Sequence, residues 1–347
     1  MGLPRIFKMS ESTPPEVLAL LQRTQLGTNG AQYKHLDTRK RLSQLVSPLF
    51  LYVQRDKKVL GNITFCRRII TPEQNAFYIR YFAFDTNWSA SNSTQGSTGD
   101  SILKRGLQEF FSCVFNGDYG DKPSLIYAYI EPNNTRSLWM AKSFNFRTVT
   151  TLNTFVFSRF RPKQSEYVRL LNESELDTYK VMLLSTYKNH SLFFNYHTLK
   201  DQPIYGFFEN GELVATCKAH EVNWEIKRLP GKYGKILTEL LPYIPGLNKL
   251  INPKSHRFVA IEGMVSVSKH NIWDTFFSAI LADMDCNLLL SWHDEKDIVL
   301  HNQLSAVRRG LAKQLISSQS VQLVVKERPG FHVDVSHPFY VSAFDLI

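Results

Sequence analysis

Short apolar and aromatic runs alternate along this chain with stretches whose apolar positions recur every three or four residues. Strands and amphipathic helices therefore interleave. Residues 48–54 and 59–65 read as two strands, joined by the charged turn Arg55-Asp56-Lys57-Lys58. Residues 76–85, aromatic and β-branched, read as a third strand. A polar loop of Gly, Ser and Thr follows over 89–101. Then Ile102, Leu103, Leu107, Phe110, Phe111, Val114 and Phe115 repeat at helical spacing. The run 125–130 is strand-like, a short helix begins after Asn134, and 148–157 re-enters a sheet. Helical patterns near 14–23 and 38–46 precede all of these.

The second half repeats this order without repeating the residues. Residues 167–171 read as a strand and 173–187 as a helix. Residues 204–209 and 212–217 flank Asn210-Gly211, a strong hairpin signal because both positions tolerate positive φ. Residues 258–267 form a strand, and Ile272, Trp273, Phe276, Phe277, Ile280 and Leu281 mark a helix. Residues 288–292 read as a strand, Leu304, Val307, Leu311 and Leu315 as one helix, and 321–325 and 338–344 as late strands. The expectation is an internal duplication: residues 1–162 and 163–347, with the boundary near Arg161-Pro162-Lys163-Gln164.

The first loop-to-helix junction is suited to an anion. The first amides of a helix have no internal partner, and the macrodipole adds partial positive charge there. Gly allows close backbone approach, and small hydroxyl side chains do not obstruct it. Ser97, Thr98, Gly99, Asp100 and Ser101 occupy that position before Ile102. In the second half the strand meets the helix through Lys269-His270-Asn271, without Gly, and the run His293-Asp294-Glu295 reads as an exposed acidic turn that would repel a phosphate. No Asn-capped segment like the one at Asn134 follows the next strand. Only the first half is expected to bind an anionic cofactor.

The stretch from Asn134 through Leu138, Lys142 and Asn145-Phe146 resembles the last helical segment of the GCN5-related N-acetyltransferase (GNAT) family, where the pattern is Asn, a small residue, Leu or Met, Lys, then Gly-Phe. Asn145 stands where that family prefers Gly, and Asn is the next best residue at positive φ. The loop signature is degraded: Thr94 and Ser97 replace expected residues, and Gly99 is retained. The resemblance covers roughly residues 17–160. It implies an α/β (α+β) protein of two tandem GNAT-like domains, each a mixed, mostly antiparallel sheet flanked by helices. It also implies acyl transfer from acetyl-CoA (coenzyme A) to a primary amine. Backbone amides at Phe82, Ala83 and Phe84 would hold the pantetheine and polarise the thioester, the amides of residues 97–101 the pyrophosphate, and Asn134 would also face the cofactor. Glu131, at the end of its strand, is the candidate base, with an exposed strand-end charge as the alternative. Many family members place a Tyr on the last helix to protonate the leaving thiolate. Ala141 stands there, so Ser137 or water would have to serve. A non-catalytic ligand- or partner-binding protein of the same fold, or an aminoacyl-tRNA-dependent transferase, are the other readings.

Composition narrows the setting. The four cysteines, Cys66, Cys113, Cys217 and Cys286, are far apart and read as reduced core residues, not as metal ligands. No metal site is expected. No apolar run reaches the length of a membrane span and residues 1–10 lack an apolar leader core, so a cytoplasmic protein without a membrane partner is expected. The net charge of +10 gathers in clusters, among them Arg159/Arg161/Lys163 and Lys227/Arg228/Lys232/Lys235. No nucleic-acid-binding motif accompanies them, so they read as solvated faces.

Overall fold

A computed structural model describes residues 6–27, 31–71, 74–85, 102–120, 122–194, 203–229, 234–268, 270–315 and 320–347. Its strands are β1 (Phe7–Ser10), β2 (Gln32–His35), β3 (Pro48–Arg55), β4 (Lys58–Thr71), β5 (Gln74–Phe84), β6 (Leu125–Ile130), β7 (Arg147–Ser158), β8 (Val168–Leu170), β9 (Ile204–Glu209), β10 (Glu212–Arg228), β11 (His256–Ser266), β12 (Leu288–Asp294) and β13 (Ser320–Glu327). The helices are α1 (Pro15–Arg23), α2 (Thr38–Ser43), α3 (Ile102–Asn116), α4 (Thr135–Ser143), α5 (Leu176–Tyr187), α6 (Gly234–Leu240), α7 (Leu247–Leu250), α8 (Trp273–Asp283), α9 (Ile298–Ser305), α10 (Ala312–Leu315) and α11 (Ala343–Leu346).

All thirteen strands belong to one sheet, in the order β1-β3-β4-β5-β6-β13-β7-β12-β11-β10-β9-β8, with β2 paired to β10. Each half contributes an antiparallel run that ends in a parallel pair, β5 with β6 and β11 with β12. A crossover helix joins each parallel pair, as parallel strands require, α3 in the first half and α8 in the second. The two halves then trade strands. β13 enters between β6 and β7, and β7 crosses to pair with β12.

The apolar face of α3 explains its place. Leu107, Phe110, Phe111, Val114 and Phe115 bury against Phe65, Phe77 and Ile126 on one face of the first-half sheet. On the other face, Val17, Leu20 and Leu21 of α1 pack with Tyr78, Ala83 and Tyr127. Trp273, Phe276, Phe277, Ile280 and Leu281 of α8 do the corresponding work against Phe155, Val259 and Leu289. The Asn210-Gly211 turn has φ of 51° and 84°, the two positive values a two-residue hairpin needs. Asn145 has φ of 62°, so it takes the left-handed position at the end of α4. All four cysteines are free and buried.

Three expectations are corrected. Residues 338–344 form no strand; they run inward as an irregular segment and continue into α11. The single helix expected from Leu304 to Leu315 is two, α9 and α10, broken at Gly310 with φ of 78°. His293 is a buried residue of β12, not part of an exposed turn.

Candidate functional site

The site begins with an irregularity in β5. Thr64 of β4 pairs with Tyr81, but Phe65 pairs with Ile79, so Arg80 is one residue too many. Such a bulge bends a strand and increases its twist. Immediately beyond, β5 and β6 part company: their parallel register runs Ala76↔Leu125, Phe77↔Ile126, Tyr78↔Tyr127 and stops. The Asp85 amide donates to the Leu60 carbonyl at 2.8 Å. By strand alternation, Ala83 also faces β4, while the backbone N–H and C=O of Phe82 and Phe84 face the edge that β6 has vacated. Gly61 makes room on β4, because a Cβ there would lie 2.7 Å from the Phe84 ring.

A cavity of about 380 Å³ opens at this divergence. One wall is apolar: Ile63, Leu107, Phe111, Ile130, Met140, Phe144 and Val324. Phe82, Glu131, Asn134, Ser137 and Ala141 also line it. The structure therefore brings together four of the residues expected at the site. The Ala83 side chain points the other way, into the core beneath α1. The Phe84 ring packs edge-on against Phe82, with centroids 4.9 Å apart. Ser97, Thr98, Gly99, Asp100 and Ser101 lie outside the described residues.

Asn134 caps α4: its Oδ1 accepts from the Ser137 amide at 3.1 Å. That cap fixes the first turn of the helix and sets Ser137 and Ala141 along the cavity. Glu131, just past the end of β6, is half-buried, and desolvation pushes its carboxyl above the usual range. Burial raises the Tyr33 phenol as well, and the Glu131 charge adds to it.

The opposite wall comes from residues that the sequence did not single out. Tyr33 and His35 of β2 and Trp224 of β10 stack together, Tyr33 to Trp224 at 4.0 Å. His256, Trp292 and Thr154 extend this wall. Burial, helped by Arg80 and Arg41, pushes the His35 imidazole down to about 3, and burial pushes His256 down to about 4. Both rings are neutral at physiological pH. Neither nitrogen of His35, nor Nε1 of Trp224, nor Oγ1 of Thr154 has a protein hydrogen-bond partner, although all are buried. Buried polar atoms of this kind take partners from outside the protein, water or a ligand.

The floor is α11 and the residue after it, with Asp345, Leu346 and Ile347 lining the cavity. Asp345 accepts from Arg68 Nη2 at 2.5 Å and from Tyr127 Oη at 3.1 Å, and its carbonyl accepts from Tyr78 Oη. Arg80, the bulged residue, donates to the carbonyl oxygens of Phe344 and Ile347. The bulge that opens the cleft thus also holds its floor.

The corresponding divergence in the second half is filled. β11 is irregular at Gly263, with φ of 61°, and its register with β12 stops at Ile261↔Ser291. Residues 338–341 run into the gap. The Phe339 amide donates to Asp294 Oδ2 at 2.7 Å, and the Tyr340 amide donates to the Ser191 carbonyl at 2.8 Å. Beside them Glu262 accepts from Ser342 at 2.6 Å, with His220 at 2.9 Å and Lys218 at 3.9 Å. About 20 Å³ is left, room for about one water. A helix does follow β12, but its cap is not Asn: Asp297 Oδ1 accepts from the Leu300 amide at 3.0 Å. The cap is acidic where the first half has Asn. Asp294 is buried in these hydrogen bonds and so does not face solvent as an acidic turn. Among the described residues no His, Cys, Asp or Glu group could hold a metal.

This arrangement defines the tandem GNAT fold. No protein-family profile and no curated protein sequence matches the chain. Solved structures do. Saccharomyces cerevisiae N-myristoyltransferase with bound myristoyl-CoA superimposes with a TM-score of 0.56 at 8% identity, covering 96% of this chain and 88% of that one. Another structure of that enzyme with bound myristoyl-CoA gives 0.57 at 7% identity, covering 99% and 86%. A GCN5-related N-acetyltransferase from Sphaerobacter thermophilus gives 0.48 at 12% identity, covering 95% and 98%. The likeness is one of fold.

Proposed function

We propose that this protein is an acyl-CoA-dependent N-acyltransferase with one donor site, at the divergence of β5 and β6. The observation that carries the reading is the contrast between the two clefts: about 380 Å³ at the first and about 20 Å³ at the second. The donor thioester enters between the strands, with its carbonyl oxygen near the Phe82 amide, where backbone dipoles stabilise the developing oxyanion. The pyrophosphate falls to the amides of residues 97–101 before α3. The acceptor amine approaches from the wall of Tyr33, His35 and Trp224. Glu131 takes its proton, the amine nitrogen bonds to the carbonyl carbon, and the C–S bond breaks. The thiolate leaves toward Ser137, which stands one helical turn before Ala141.

Acetyl-CoA was the donor expected from the sequence. The cavity favours a longer acyl chain, since its volume falls within the range of about 300–1,000 Å³ that holds drug-sized ligands. Its apolar wall takes in Leu107, Phe111, Phe144 and Val324, and the N-myristoyltransferase of the same fold carries myristoyl-CoA. Ala141 supports a second reading, a binding protein without turnover. Thermal unfolding with CoA, acetyl-CoA and myristoyl-CoA separates these readings. A ligand present at about a hundred times its Kd adds about 2.7 kcal/mol. Myristoyl-CoA should stabilise more than acetyl-CoA, and calorimetry should give one donor per chain. Stabilisation by none of the three, or two donors per chain, refutes the assignment. Stabilisation without acylation of any amine offered would favour the binding protein.

A further inference from the structure

Between β10 and β11 the chain forms α6, the turn Leu241–Tyr243 and α7. The inner side of this segment is anchored: Leu241, Leu250 and Ile251 bury against Ile226. Its outer side is not. Ile236 and Leu240, at i and i+4, share one face of α6, and Tyr243 and Ile244 follow in the turn that leaves it. They are 54, 52, 76 and 39% exposed. Single exposed apolar residues need no explanation, but four within residues 236–244 do. A fifth joins them from elsewhere in the chain. The Phe160 ring, 38% exposed, lies against Gly246, where a Cβ would be 3.9 Å from its Cε1.

That contact also joins two basic clusters that are distant in sequence. Arg161 and Lys163 follow Phe160, and Lys227, Arg228, Lys235, Lys249 and Lys254 surround the helical segment; all are exposed. Between residues 227 and 254 the only acidic residue is Glu239. Lys227 pairs with Glu225, and the others carry no ion pair among those described. An exposed apolar cluster on a short helical segment, rimmed by cations, is suited to the interface of an anionic bilayer. Tyr243 adds an amphipathic ring of the kind found at headgroup depth. A second copy of this chain fits poorly, because a twofold contact would set the two basic rims against each other.

We propose that this face, Ile236, Leu240, Tyr243, Ile244 and Phe160 within their lysine and arginine rim, docks the protein peripherally on anionic phospholipid membranes. The expectation from sequence was a protein without a membrane partner, and no helix of the described chain is long and apolar enough to cross one. Surface docking needs neither. The inference is independent of the acyltransferase reading.

Vesicle sedimentation tests it. The intact protein is mixed with vesicles of phosphatidylcholine alone, or of phosphatidylcholine and phosphatidylserine in equal amounts. Protein should pellet with the mixed vesicles, and less so as salt is raised. Ile236→Glu with Tyr243→Glu, and separately Lys235→Glu with Lys249→Glu, should each weaken partitioning roughly tenfold or more with thermal unfolding unchanged. Absence of pelleting with mixed vesicles, or equal pelleting of either double variant, overturns the proposal. So does a dimer in solution that Ile236→Glu with Tyr243→Glu dissociates, since the occupant of the face is then a second copy.

Discussion

Replacing Asp345 by Asn tests the floor of the cavity. Asp345 and Arg68 are both buried, their side chains 0 and 1% exposed, and only 2.5 Å separates the charged atoms. Burial alone would lower the Arg68 pKa; the facing carboxylate outweighs it and holds the guanidinium charged. Asn keeps the shape and removes the charge, leaving a cation in the interior beside a neutral amide. Breaking a buried pair from one side costs about 3–5 kcal/mol. The strand exchange makes the two halves one cooperative unit. An unfolding entropy of about 2.1 cal/mol/K per residue, applied to the whole chain, then puts the fall in Tm at roughly 4–7 °C. Calorimetry on Asp345→Asn, Arg68→Met and the combined Arg68→Met/Asp345→Leu checks this. The combined variant should be far more stable than the sum of its parts, because it removes both charges together. A shift within about 1 °C for Asp345→Asn, or strict additivity, refutes the account of the pair.

Glu131→Gln should lower acyl transfer by about 10²–10⁴ while leaving donor-induced stabilisation intact. The wild-type rate should fall on the acid side of a pKa above the usual carboxylate value, because desolvation raises Glu131. Since its folded pKa is raised, ionising it opposes folding, so Glu131→Gln should be the more stable protein at neutral pH. Loss of both activity and stability would mark Glu131 as structural. Gly263→Ala should cost about 1–3 kcal/mol by urea unfolding, because φ is 61° and the new Cβ would meet Tyr179 Oη at 2.9 Å. A neutral result would mean that the second cleft is loosely filled.

What the sequence made legible was local. The apolar period of α3, the Asn134 cap, the positive φ of Asn145 and the Asn210-Gly211 hairpin are each set by a few neighbouring residues. Phe82, Glu131, Asn134 and Ser137 came from the family resemblance that these segments carry, and all four line the cavity. The opposite wall was illegible because β2 has only four residues and exists by pairing with β10, Trp224 facing His35. Residues 338–344 are apolar enough to read as a strand. They are buried as a plug instead, with Phe339 held by the Asp294 side chain. Asp297 escaped notice because an acidic cap beside buried Asp294 looks, in sequence, like a solvated turn. The partners of β13 could not be read from residues 320–327, because nothing local in a strand names the edge it will join.

The exchange of β7 and β13 bears on how the protein is made. Glu327 pairs with Leu125 and Val325 with Arg147. During translation β6 and β7 emerge long before the strand that must lie between them. At about 5–20 residues per second, the ribosome needs roughly 10–30 s to pass from the end of β7 to the end of β13. Throughout that interval the nascent first half presents two open strand edges, the kind of surface on which chains mispair. Completion of its sheet waits on residues 320–327, so the first half closes only once most of the second has been made.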